Sequence, residues 1–156
     1  MTESAPILKP GGFFRRLAAI LYDLLVFAAV LLVATVPYVL IAHGAPTSPG
    51  GQTLFRCYVL AVAFLFFGWF WVHGGQSLGM RAWRLRLVSQ SGGAVSWKQA
   101  VLRFFAAILS WVPAGAGFLW ILVDRDRRAW HDRLSGTRVV VIPKAGRKAT
   151  SPPGQA

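Results

Sequence analysis

The stretch FFRRLAAILYDLLVFAAVLLV, residues 13–33, decides how this chain is read. A double arginine, Arg15 and Arg16, leads into a long apolar run that holds a single ionisable group, Asp23. A carboxylate near hydrocarbon depth costs about 2.5–3.5 kcal/mol, so it needs a partner, water or a purpose. The apolar run continues from about residue 17 to residue 42. At about 1.5 Å per residue a helix of that length exceeds a ~30 Å hydrocarbon core, so it tilts or bends, with Pro37 the natural place.

Composition points the same way. With 156 residues the chain is one domain, and 55% of it is hydrophobic against 14% charged. Soluble domains carry about a quarter charged residues. The mean hydropathy of +0.51 agrees with an integral membrane protein. A net charge of +12 would suggest nucleic acid in a soluble protein, but here the bases sit in blocks beside apolar runs, as cytoplasmic flanks do. No nucleic-acid partner is expected. Cys57 stands alone and cannot form an internal disulfide. The first apolar run is too long for a signal-peptide core, so it is expected to remain as an anchor.

Outward from that run, residues 1–12 read as a flexible lead and residues 143–156 as a disordered tail, with the membrane domain over 13–142. The turn residues of HGAPTSPGGQT, 43–53, predict a loop, and 54–72 a second span rich in aromatics, with Trp69 and Trp71 at its interfacial end. After the glycine-rich segment 73–81, residues 83–88 alternate basic with apolar side chains, the period of a strand, and 138–142 give a second strand. Ser96 begins a helix. A third apolar run, 101–123, contains Arg103 and is interrupted by WVPAGAG at 111–117.

Bases concentrate before the first span, between the second and third apolar runs, and after the third. Positive-inside bias places all three regions in the cytoplasm. That conflicts with a third run that crosses. A return at the Pro113–Gly117 break resolves it, each half being only roughly 15–18 Å long by helix rise. It also lets the two strand segments pair on one side. The expected fold is an all-α integral membrane protein: a small bundle of two full spans (17–42, 54–72) and a third broken segment (101–123), hairpin, re-entrant or spanning, with a small cytoplasmic two-strand element.

Arg16 and Asp23 are seven apart on one helix face, about 10.5 Å along the axis, which is long for an ion pair. Partners for Asp23 are therefore expected from Arg103, His131 and Asp132. The five residues Arg16, Asp23, Arg103, His131 and Asp132 form the candidate polar cluster. The acids around His131 lack a second imidazole or a thiolate at metal-binding spacing, and Ser135 near His131 is no catalytic arrangement. Gly74, Gly75 and Gly79 lack the Lys-Ser/Thr of a phosphate loop. No catalytic, metal or cofactor site is expected, and the chain is not expected to be an enzyme.

With these residues in view, the chain resembles the RDD family of bacterial membrane proteins. That family is named for an arginine before the first span, an aspartate within it and a second aspartate later. Here they fall on Arg16 and Asp23 in FFRRLAAILYD and on Asp132 in WHDRLSGTRVVV. The segment GQSLGMRAWRLRLVSQSGGAVSWKQAVLRF is similar to the family's middle region, with Arg103 opening the next apolar run; Met80 stands where many relatives carry Lys. The likeness covers about residues 11–142. It implies a multi-pass bacterial membrane protein, for which transport is often proposed; with the charge bias, the expected location is the inner membrane with a cytoplasmic N-terminus.

Two functions follow as expectations. One is a small transporter, or transporter subunit, for protons or small cations, with Asp23 as the exchangeable carboxylate. The other is a non-catalytic scaffold or assembly partner whose charges lock its packing. The expected partners are the lipid bilayer with its anionic headgroups, and a second copy or another membrane protein.

Overall fold

The computed structural model describes residues 9–44, 46–111 and 115–143. Helix α1 (Phe13–Ile41) and helix α2 (Pro49–His73) are both long and apolar enough to cross a membrane. They lean together through aromatic pairs, Phe27 on Phe66 and Phe67, and Tyr38 on Phe55 and Tyr58. Pro37 lies inside α1, where it removes one backbone donor. Nearby, the Tyr58 hydroxyl donates to the Ala34 carbonyl at 2.7 Å, tying α2 to the proline-bearing turn.

Helix α2 begins inside the expected 43–53 loop. Ser48 accepts from the Gly51 N–H at 3.1 Å, and Pro49 takes the first helical position, where its missing donor costs nothing. The glycine-rich segment, read as turns, likewise contains a helix, α3 (Leu78–Ala82), with Ser77 at its N-cap.

Strand β1 (Leu85–Ser89) leads through a turn to helix α4 (Trp97–Trp111), which Ser96 and Gln99 cap reciprocally through each other's backbone N–H. Its 15 residues span about 22 Å. Residues 112–114, the centre of the predicted break, lie outside the described residues. Past them α5 (Ala116–Leu119) packs back on α4, and a 3-10 turn (Trp120–Leu122) follows it. A Cβ on Gly117 would come within 2.6 Å of the Ser110 Cβ, so only glycine permits this contact. Helix α6 (Trp130–Leu134) and strand β2 (Thr137–Val141) follow.

β1 and β2 pair antiparallel, from Leu85 opposite Val141 to Ser89 opposite Thr137. The strands on either side of the third run thus meet in one sheet, and that run reverses instead of forming one straight helix. Both sheet edges are covered. The lead, expected to be flexible to residue 12, is held from Lys9 onward: Val141 N–H donates to Lys9 and Gly11 N–H to Val139, each at 2.9 Å. On the other edge the Leu87 N–H donates to Gly75 at 2.6 Å and the Gln76 amide to Leu85 at 2.6 Å. Residues 1–8 and 144–156, which include nearly all of the expected tail, are outside the described residues.

The inner face of the sheet, Leu85, Leu87 and Val139, packs with Ala19, Met80 and Val95. Elsewhere burial runs opposite to that of a water-facing helix. α1 buries Arg16, Ala19 and Asp23 and exposes Leu17, Leu21, Leu24 and Leu25. α4 buries Ala100, Arg103, Ala106 and Ser110 and exposes Leu102, Phe105, Ile108 and Leu109.

Candidate functional site

The buried stripe of α1 repeats at i, i+3 and i+7, so one helix face presents two polar side chains, Arg16 and Asp23, about 10.5 Å apart along the axis. Each organises a separate site.

The first site is built on Asp132, at the third position of α6 and 0% exposed. Arg16 Nη1 donates to Asp132 Oδ2, and Arg103 Nη1 donates to Oδ1 at 2.5 Å. The Ala129 N–H adds a bond to Oδ2 at 3.2 Å, which caps the start of α6. Both guanidiniums are further engaged. Arg16 donates from Nε to the Gly11 carbonyl (3.0 Å) and from Nη2 to the Arg127 carbonyl (3.0 Å). Arg103 donates to Thr137 Oγ1 (2.9 Å) and lies 5.2 Å from the centre of the Trp71 ring. One carboxylate therefore ties α1, α4 and α6 together, with the lead, β2 and the end of α2 drawn in through the arginines.

Burial alone would push the Asp132 carboxyl up, but the charges of Arg103 and Arg16 outweigh it and hold the group well below the usual carboxylate range. His131 sits beside it, Nε2 3.6 Å from Asp132 Oδ1, with its ring 4.8 Å from that of Phe118. Burial, followed by the charge of Arg103, lowers the imidazole to about 3, so His131 is neutral at physiological pH. The group thus carries two positive charges and one negative, in a shell with little access to water.

The second site is built on Asp23, 6% exposed. The Ser77 hydroxyl donates to Oδ2 and the Gly79 N–H donates to Oδ1 at 2.8 Å. Ser77 Oγ also accepts from the Met80 N–H at 3.3 Å, so Asp23 and Ser77 together satisfy the N-terminus of α3. The seat is tight. A Cβ on Gly79 would lie 2.2 Å from the Ala19 carbonyl oxygen, so the short helix rests directly on the α1 backbone.

The structure brings Arg16, Arg103, His131 and Asp132 together. It does not bring Asp23 into that cluster, and this corrects the expected arrangement. At the Asp23 level the face of α1 is filled by α3, while Arg103 and His131 are gathered two turns away at Arg16. Among the described residues Asp23 is the acid with no ion pair: Asp132 has Arg16 and Arg103, Asp124 has Arg133, and Asp126 has Arg128. Sequence reasoning did not single out Ser77 or Thr137, and it read Gly79 as a turn residue and Trp71 as an interfacial anchor, not as parts of a site. A serine directly before Leu78-Gly79 is an N-cap signal, but glycines on both sides favoured a turn. Thr137 and Trp71 join only through long-range contacts.

The sequence profile described as the RDD family matches residues 10–136. The chain is also 31% identical over 138 residues, 85% of each protein, to a Bacillus subtilis (strain 168) protein described as uncharacterized protein YckC. No solved structure matches the chain.

Proposed function

The chain belongs to the RDD family, and from that premise we propose that it is a multi-pass membrane protein that exchanges protons or small cations at Asp23. The inverted burial of α1 and α4 supports membrane insertion, since helices that hide arginine and aspartate while presenting leucine and phenylalanine suit acyl chains, not water. The outward face of α4, with a length of about 22 Å, supports a third segment that enters from the cytoplasmic side and returns. The N-terminus, sheet and C-terminal strand then share the cytoplasmic face of a bacterial inner membrane, in line with their basic charge.

The observation that carries the exchange reading is the neutral company of Asp23. Its donors are a hydroxyl and a backbone N–H, so its charge can change without breaking an ion pair. When Asp23 takes a proton, one of its two acceptor positions becomes a donor, and the grip on Ser77 and Gly79 weakens. Its charge state is thereby coupled to the seating of α3. Two spans alone wall no passage, so this reading calls for a second copy or a partner subunit. In vesicles, Asp23→Asn abolishes pH-gradient-driven cation flux while protein abundance is retained; flux equal to wild type refutes the proposal.

A second reading, a non-transporting scaffold, is favoured by the Asp132 carboxylate, which accepts from Arg16, Arg103 and the Ala129 N–H and so holds three helices together. It predicts that Asp23→Asn lowers abundance, with no flux to lose.

A further inference from the structure

The five acids of the chain are Glu3, Asp23, Asp124, Asp126 and Asp132, and the last four lie among the described residues. Each of the four is engaged: Asp23 by Ser77 and Gly79, Asp124 by Arg133 and the Arg128 N–H, Asp126 by Arg128, and Asp132 by Arg16 and Arg103. Arg81, Arg84, Arg86 and Arg138 are all exposed, and no acid among the described residues pairs with them.

Two pairs of these arginines are close neighbours in the fold. Arg86 stands opposite Val140, and Val88 opposite Arg138, so Arg86 and Arg138 are diagonal neighbours on the outer face of the sheet, roughly 7–8 Å apart. Like charges so placed repel unless an anion lies between them. Arg84 follows the end of α3 with φ +53°, in the left-handed region. Its N–H donates to the Arg81 carbonyl at 3.2 Å and its carbonyl accepts from Ile142 at 2.8 Å, fixing that conformation. Glycine is the residue that fits there without strain, yet the chain places an arginine.

Depth matters as much as charge. α3 rests on Ala19, six residues from the start of α1, about 9 Å along the helix. If α1 spans, Arg81, Trp83 and Arg84 sit at the headgroup layer, and Trp83 is half exposed there, as an interfacial tryptophan would be.

We propose that Arg81, Arg84, Arg86 and Arg138 form a docking surface for the phosphate headgroups of anionic lipids in the leaflet that borders the sheet. The proposal rests on the reading of α1 and α2 as spans and not on transport. Resistance of the full chain to alkaline carbonate extraction is therefore measured first; release into the supernatant refutes the spans and, with them, this site. The binding test uses the purified full chain in mixed micelles containing labelled phosphatidylglycerol or phosphatidylcholine. Wild type retains phosphatidylglycerol preferentially, and Arg81→Gln/Arg84→Gly/Arg86→Gln loses that preference by about fivefold per arginine removed. Arg84→Gly alone reduces it while leaving thermal stability equal or higher, and Arg56→Gln, on the far half of α2, leaves it unchanged. Equal retention of the two lipids, or a triple variant that matches wild type, overturns the proposal. Displacement of the lipid by inorganic phosphate at matched ionic strength overturns the lipid as its ligand.

Discussion

Removing the Asp132 carboxylate tests the ionic centre of the fold. Asp132→Ala leaves Arg16 and Arg103, 8% and 7% exposed, with no anion between them. Breaking a buried pair by deleting one partner costs about 3–5 kcal/mol, because an uncompensated charge stays behind. Here two charges stay behind, and the Ala129 N–H loses its acceptor, worth about 1 kcal/mol more. Against a typical total stability of about 5–15 kcal/mol, this is a large share. The apparent Tm in detergent, followed by tryptophan fluorescence, is expected to fall by on the order of 10 °C. Asp132→Asn keeps the shape and loses the charge, so it should fall nearly as far. Adding Arg103→Met to Asp132→Ala should restore part of the loss, since it removes one stranded charge. A Tm for Asp132→Ala equal to wild type, or strict additivity in the double variant, would refute the reasoning.

Other outcomes follow from the same geometry. Gly79→Ala drives a methyl into the Ala19 carbonyl and should lower stability by about 1–3 kcal/mol, whereas Gly12→Ala meets open space and should change little; equal Tm values for the two variants contradict the tight seat of α3. The imidazole of His131 is lowered to about 3 in the fold from an ordinary 6.5. The unfolded chain therefore takes up this proton first as pH falls, and the contribution of His131, full above pH 6.5, is lost progressively towards pH 3. His131→Gln should flatten the dependence of Tm on pH across that window, and an unchanged slope argues against a neutral buried imidazole. Asp132, whose pKa is depressed, contributes above its ordinary value of 3.8 and loses that contribution only at lower pH, so it does not shape the same window.

Much of this architecture was legible because hydropathy and charge are additive along a chain. The two long apolar runs gave the two long helices, and the period-2 stretches near residues 83–88 and 138–142 gave strands that pair as expected. The interruption at 111–117, together with the basic flanks, pointed to the reversal of the third run. What escaped was decided by single hydrogen bonds. Ser48 and Pro49 extend α2 into a stretch rich in turn residues, and Ser77 starts a helix between glycines. The same limit applies to the polar residues. Arg16, Arg103, His131 and Asp132 lie together, whereas Asp23 is taken up by α3, whose contact with α1 hinges on the missing Cβ of Gly79. Asp23 is buried, but its neighbours are Ser77 and Gly79 and not Arg103, His131 or Asp132.

The central claim is that the third apolar run returns, because only then can Asp132 lie between Arg16 and Arg103 on the side of the N-terminus. A topology reporter fused after Ile142, compared with one fused before Phe13, measures this directly. Both reporters on the cytoplasmic side is the predicted result. A C-terminal reporter on the opposite side of the membrane would separate Asp132 from Arg16 and contradict the account.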